Sequence, residues 1–301
     1  MKKQLLLAAT LLVAFITAEA QKPDTARVLV HYKFTYVRDT TNRAHPYTEN
    51  MALFVGKSAS SYRSYDAIAA NAQFKKAYAE AAAASPDGNV RINRRGAGTP
   101  VEYYQYPNEQ KLFTKDQLMF NSYLIEAPIP VIAWKISSDT STFGGLHCQK
   151  ATGRFKGRDY IAWFCPDLPV HTGPWKLSGL PGVVVDAHDA KNEVVFKFDG
   201  VEKAVPAPPN TGPADNDLPP ILRGLNDDPN LIGPPAKVIK ATQKEFNKLK
   251  ESMEKDPNAF AQAIMAGNRA DGVKMDNIRI AKGPGPRGPV INNPMELPEN
   301  K

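Results

Sequence analysis

From Arg27 to Val37 apolar and polar residues alternate: Val28, Val30, Tyr32, Phe34 and Tyr36 face one way, and His31, Lys33 and Thr35 the other. A period of two marks a half-buried strand. Met51–Val55 and Ser58–Tyr65 predict two more strands around a tight turn near Gly56-Lys57. Asp66 is placed to cap a helix that reaches about Ala84 and stops at Ser85-Pro86-Asp87-Gly88. Residues 89–100 mix basic and amide side chains with glycine and read as a loop. Strand-like runs return at Val101–Tyr106, Lys111–Thr114, Leu118–Ile125 and Ile132–Ile136.

The best specified stretch runs from Leu146 to Val201. Lys156-Gly157, between Phe155 and Arg158, is a two-residue hairpin turn whose glycine takes the positive φ such turns need. It pairs Leu146–Phe155 with Arg158–Cys165. In that register Cys148 and Cys165 stand equally far from the turn, directly opposite each other. A non-hydrogen-bonded cross-strand pair brings Cα atoms to about 4.5 Å, within disulfide range. The bridge would be worth about 3 kcal/mol in the entropic model. Two buried thiols or a metal site are the alternatives. A second hairpin is expected from Val183–His188, through Asp189–Asn192, into Glu193–Val201; a compact Pro/Gly segment, Pro166 to Gly182, lies between the two.

Prolines recur over residues 205–236 as Pro-Ala-Pro-Pro, Leu-Pro-Pro and Gly-Pro-Pro, a composition that favours an extended connection. Val238–Ala241 reads as an edge strand. Thr242-Gln243-Lys244-Glu245 matches a capping box. The helix it opens aligns Phe246, Leu249 and Met253, and Asp256-Pro257 restarts a second helix through Phe260 and Ile264 to Gly267. Residues 237–267 are thus expected to pack on a β-rich domain, 21–204, and the Pro/Gly/Asn-rich residues 268–301 to be disordered. At the other end, Lys2 and Lys3 precede an apolar run, Leu5 to Thr17, shorter than the ~20 residues that cross a bilayer. Ala18-Glu19-Ala20 supplies the small residues a signal peptidase reads. Residues 1–20 are therefore expected to be a signal peptide cleaved near Ala20. With no cysteine at that site, the product is not a lipoprotein. The expected location is the periplasm or the cell exterior, where disulfides persist.

With 42% hydrophobic and 23% charged residues the chain can build a core. Its net charge of +7 is scattered, and the densest basic group, Arg91, Arg94 and Arg95, lies in the glycine-containing loop. That pattern reads as a solvated loop and not as a nucleic-acid surface. No later segment is apolar enough to span a membrane. There is no H-E-x-x-H, G-x-S-x-G, P-loop, G-x-G-x-x-G or C-x-x-C, so no catalytic residue and no cofactor is assigned. His147 adjoins Cys148, but strand neighbours face opposite ways. Asp186 and His188 share a face, with Asp189 in the turn after them, and read better as an exposed polar hairpin end than as a metal site. His171 sits in the Pro/Gly segment near Trp175. No metal site is assigned.

The segment Gly173-Pro174-Trp175-Lys176-Leu177-Ser178-Gly179-Leu180-Pro181-Gly182-Val183-Val184 resembles the signature of the GLPGLI family. These are exported proteins, mainly from Bacteroidota, whose biochemical role is undefined. The resemblance extends to the Tyr47-Thr48-Glu49 to Tyr65 region, Cys148-Gln149-Lys150-Ala151-Thr152, Arg158 to Phe164 and Pro166-Asp167-Leu168-Pro169-Val170, covering roughly residues 25–205. It departs at Val183-Val184, where the family name has Leu-Ile. It implies no activity, cofactor or ligand set.

The motif's own chemistry allows two roles. Pro174 and Pro181 fix φ, and the glycines permit close backbone contact, so Trp175 and Leu180 can be packed onto the sheet as a plug. Alternatively the segment is a rigid binding rim with Trp175 as its platform. On that reading the contacts are Trp175, His171, Gly179, Leu180, Pro181 and Gly182, and the ligand is a small molecule or a peptide. The expected fold is mainly β (α+β), a curved antiparallel sheet or half-open barrel of about eight to ten strands with a few covering helices. The expected function is a non-enzymatic binding or accessory protein working with an outer-membrane receptor. A peptide-directed hydrolase with a dispersed site and a metal-handling protein are the alternatives.

Overall fold

The computed structural model describes residues 23–85, 97–119, 121–205, 228–235, 238–270 and 290–299. The expected signal peptide, most of the basic loop and most of the Pro-rich connection lie outside the described residues, as does 271–289 of the expected tail. In chain order the first half comprises β1 (Asp24–Thr25), β2 (Val28–Tyr36), β3 (Tyr47–Val55), β4 (Ser60–Ser64), α1 (Tyr65–Ala83), β5 (Glu102–Tyr106), β6 (Lys111–Leu118) and β7 (Asn121–Pro128). The second half comprises β8 (Lys135–Phe143), β9 (Leu146–Phe155), β10 (Arg158–Cys165), β11 (Val183–Asp189), β12 (Val194–Lys203), β13 (Leu231–Ile232), β14 (Ile239–Ala241), α2 (Gln243–Lys255) and α3 (Pro257–Ala270).

Twelve strands form one sheet in the order β14-β7-β6-β5-β4-β3-β2-β12-β11-β10-β9-β8. Neighbours are antiparallel except β14, which runs parallel to β7. The sheet curves but does not close, so β14 and β8 are its edges. Bulges interrupt the register at Trp163/Phe164, Phe198/Gly200 and Ile136/Thr140, and bulges increase local bend and twist. The sheet holds more strands than the roughly eight to ten expected, and β8 also runs further than the Ile132–Ile136 stretch predicted for it. That strand continues past Ile136 through Ser137-Ser138-Asp139-Thr140-Ser141-Thr142, where no apolar alternation marks it.

Alternation sorts side chains onto two buried faces. Val30, Tyr32, Phe34 and Tyr36 of β2 join Met51, Leu53 and Val55 of β3 in the main core. Leu29, Ala52 and Phe54 point the other way, into a second cluster that Ile68 of α1 covers. Burial on both faces explains why Met51–Val55 is a continuous apolar run. Ser64, not Asp66, caps α1: its side chain accepts from Ala67 N–H. Asp66 instead accepts two hydrogen bonds from Asn50 of β3. Thr242 and Glu245 form the expected capping box, and Phe246, Leu249, Met253, Phe260 and Ile264 pack against Tyr123 and Ile125 of β7.

The β9–β10 hairpin has the expected register, Arg158 opposite Phe155 and Phe164 opposite Gln149. Lys156 and Gly157 both adopt positive φ, 49° and 70°, as a type I′ turn requires. Cys148 and Cys165 form a disulfide with Cα atoms 4.1 Å apart.

Candidate functional site

The 166–182 segment leaves β10 at the disulfide and returns into β11. Almost no regular structure holds it; individual groups do. Leu168 and Thr172 carbonyls accept from Val183 and Val184 N–H, which lays the segment against the start of β11. Gln105 of β5 is 2% exposed. Its amide donates to the carbonyls of Gly173 and Trp175 at 3.2 and 3.0 Å, and its oxygen accepts from Thr172 Oγ1 at 3.1 Å. Trp134 donates its indole N–H to the Ser178 carbonyl at 2.9 Å. Gly182 is required by contact as well as by its φ of 149°: a Cβ there would stand 2.4 Å from the Cys165 carbonyl oxygen.

These ties divide the residues singled out in the sequence. Trp175 is only 3% exposed and stacks on Phe196, with Phe155 tilted beside it. It also holds a left-handed backbone, φ 56°, a conformation costly for a bulky residue that persists only where surroundings impose it. Leu180 is 1% exposed and Gly182 is buried. Trp175 and Leu180 therefore act as anchors in the core, so an exposed Trp175 platform is corrected to a buried one. The reason is geometric: the Gln105 bonds turn the segment inward at this point. His171, Gly179 and Pro181 are exposed.

His171 and Gly179 line a groove of about 510 Å³. Its other walls are the β3–β4 turn (Lys57, Ser58), the short 3₁₀ turn after β5 (Pro107, Asn108, Gln110) and the β7–β8 connection (Ile129, Pro130, Val131, Ile132). Asp24 firms the first wall by accepting from Ser58 and Ala59 N–H at 2.7 and 3.1 Å. Those backbone bonds outweigh the opposing effect of burial and hold the Asp24 carboxyl below its ordinary value. Val131 is 93% exposed, and a Cβ on Gly179 would have nothing within 4 Å. The groove thus offers an open stretch of main chain beside bare apolar surface.

The metal candidates separate. His147 bonds through N–H and ring to Asp167 on the exposed edge of the loop. The reading of Asp186 and Asp189 as an exposed polar hairpin end is corrected: they are 3% and 2% exposed, because β11 lies inside the sheet between β10 and β12. Asp186 accepts Phe198 N–H at 2.9 Å where β12 bulges, and pairs with Lys197. His188 bonds instead to the Asp189 carbonyl. Among the described residues, no cluster of three or more His, Cys, Asp or Glu side chains could hold a metal.

A second irregular segment escaped the sequence reading. Residues 290–299 are docked on the domain, correcting the expected disorder of 268–301 over that span. Arg158, its side chain 2% exposed, donates to Asp189 at 2.6 Å and Glu193 at 3.1 Å. It also donates to Asn293 Oδ1 and to the carbonyls of Pro294 and Met295. Burial works against the Arg158 charge, yet the two carboxylates raise its pKa above the ordinary value. Tyr36 donates to the Asn293 carbonyl at 2.5 Å, and Lys176 of the 166–182 segment pairs with Glu296 at 2.6 Å. A run of Asn and Pro signals disorder by composition; its partners, distant in sequence, leave no local mark.

No family model matches the chain, and no curated protein matches it. Two solved structures of PNGF-II, in the P21 and C2 space groups, are similar to it at TM-scores of 0.47 and 0.46 and identities of 11% and 12%. Each comparison covers 74% of this chain and 32% of the PNGF-II chain, so the chain spans about a third of that protein's length.

Proposed function

We propose that this is an exported, GLPGLI-like binding protein without an enzymatic role, holding an extended peptide in the groove beside the 166–182 segment. The observation that carries the reading is that groove: about 510 Å³ in volume, it is faced by two of the residues singled out in the sequence, His171 and Gly179. Ligand sites typically enclose 300–1,000 Å³ and combine apolar surface with a few polar groups. Here Val131 and Ile129 offer the apolar part, Asn108 and Lys57 the polar part, and Gly179 a main chain a peptide can approach.

Two further observations support the setting. The Cys148–Cys165 disulfide suits an oxidising compartment and supports a periplasmic or secreted location; cleavage near Ala20 is proposed from the sequence alone. No helix among the described residues is long and apolar enough to cross a membrane. An outer-membrane receptor is the proposed working partner.

The test is a peptide-array screen of the full chain, with hits measured by calorimetry against Val131→Asp and His171→Ala. At least a tenfold loss of affinity in either variant, with unchanged melting temperature, is the expected result. Peptides that bind both variants as well as the parent would place the site elsewhere. Absence of any saturable peptide binding would sink the reading.

A further inference from the structure

On the main-core face, apart from the groove, lies a second cavity of about 150 Å³. A cavity of that size takes a benzene-sized guest, so it admits a head group and not a chain. Its walls are aromatic: Phe34, Tyr47, Tyr62, Tyr103, Trp175 and Phe196. Strand alternation brings them together, since Phe34 lies opposite Glu49 and Tyr32 opposite Met51 in the β2–β3 register. Met295 of the docked 290–299 segment also reaches the cavity.

Two polar groups at this cavity are incompletely served by the fold: one lacks a hydrogen bond and the other an ion-pair partner. Tyr62 is 3% exposed, and its hydroxyl has no hydrogen-bond partner among the described residues. A buried hydroxyl left unpaired is costly and calls for an explanation. Glu49 is 4% exposed. Its carboxylate accepts from Thr99 N–H at 2.6 Å and from the Tyr47 hydroxyl. Yet it takes part in none of the ion pairs among the described residues. Buried charges are normally paired. Arg38, itself part of the cavity lining, already sets its guanidinium 3.5 Å from the centroid of the Tyr47 ring, so the faces of Phe34, Tyr62, Tyr103, Trp175 and Phe196 are the ones left for a ligand.

We propose that this cavity binds a small organic cation, its ammonium head held against the aromatic faces and neutralised by Glu49. Rings of Trp, Tyr and Phe around a carboxylate are the chemistry that recognises quaternary ammonium groups. The cavity is too small to hold an alkyl chain as well as the head group. Tyr62 supplies a hydrogen bond to any polar group on the ligand. A neutral ring would fit the volume but would leave Glu49 without a counter-ion, which is why the cation is favoured.

The probe is choline, with 3,3-dimethylbutan-1-ol as its neutral isostere, titrated into the full chain by calorimetry and by tryptophan emission. Choline is expected to bind at least tenfold more tightly than the isostere. In Glu49→Gln that preference should disappear while the isostere's affinity is unchanged. Should Glu49→Gln fail to fold, Tyr62→Leu, which removes one wall, should weaken choline at least tenfold. Equal affinities for the two compounds in the parent chain would overturn the proposal. So would the absence of saturable choline binding up to about 10 mM, a range that reaches tenfold past a millimolar Kd. The Val131→Asp variant should bind choline normally, so failure at the groove and failure here are separable.

Discussion

Two segments without regular secondary structure cross the main-core face, and they are fixed by opposite means. The 166–182 segment is nailed down by apolar anchors: Trp175, Leu177 and Leu180 are all 3% exposed or less. The 290–299 segment has one buried residue in its whole length, Asn293, and is held by the Arg158 fork and its carboxylates. Apolar burial tolerates small shifts, because its energy follows area. A buried arginine fork does not, because each unmade bond leaves a desolvated group behind. The first segment should therefore respond to loss of volume, and the second to loss of a single charge.

Removing the Arg158 charge is the harshest way to break that comparison. Arg158→Ala leaves Asp189 and Glu193 without their common partner, their side chains 3% and 5% exposed. Breaking one side of a buried pair costs about 3–5 kcal/mol. Denaturant unfolding should show that loss, and limited proteolysis should newly cut within 290–299. Trp175→Ala should cost a similar amount, about 3–5 kcal/mol for a buried aromatic, but with 290–299 still protected. If both variants expose the same segment, the two are one unit and the contrast fails.

Next in size is the disulfide at the entry of the 166–182 segment. Replacing Cys148 and Cys165 by serine opens a bridge spanning 17 residues, worth about 3 kcal/mol in the entropic model. Stability should fall by that order without any change in groove binding, since the β9–β10 register also rests on the Lys156-Gly157 turn. Asn293→Ala should cost less, about 1–3 kcal/mol, by leaving buried hydrogen-bond partners unmade. Its amide serves the Val37 carbonyl at 2.8 Å and Glu193 at 3.1 Å. Unchanged denaturant midpoints for this variant would mean the fork holds the segment without it.

How much of this was legible follows the same division. The hairpin register, the disulfide and the capping box are local: a turn dipeptide, an equal spacing and a four-residue motif state them outright. The 166–182 segment was legible as rigid, because Pro and Gly restrict and release φ in known ways. Whether its Trp175 faced in or out was not, since that depends on Gln105, a polar residue in the Tyr103-Tyr104-Gln105-Tyr106 run some seventy positions earlier. Asp186 and Asp189 were misplaced at an exposed end because alternation gives the face of a strand and not its rank in the sheet. Glu49, Tyr62 and Trp175 come together only through the order of β2, β3, β4 and β12, which no local pattern carries.

The mildest perturbation is acid, and it should separate the two segments without any mutation. Burial opposes the charged form of Glu193, but hydrogen bonds from Arg43, Arg158 and Asn293 outweigh it and hold the carboxyl below its ordinary value. A carboxyl whose pKa is lower in the folded than in the unfolded chain contributes stability above its unfolded value, about 4.3. That contribution is lost as pH falls through the folded value. Between neutrality and about pH 5 the 290–299 segment should stay protected from protease, and below about pH 4 its protection should decline first. The apolar anchors carry no titrating group, so emission from a variant retaining only Trp175 should hold steady over the range where 290–299 loosens. Glu193→Gln should be weakened at neutral pH and largely lose its acid dependence. If this variant loosens with acid as the parent does, the release belongs to other carboxyls; if Trp175 emission shifts in step with proteolysis, the two segments do not differ in the way their contacts indicate.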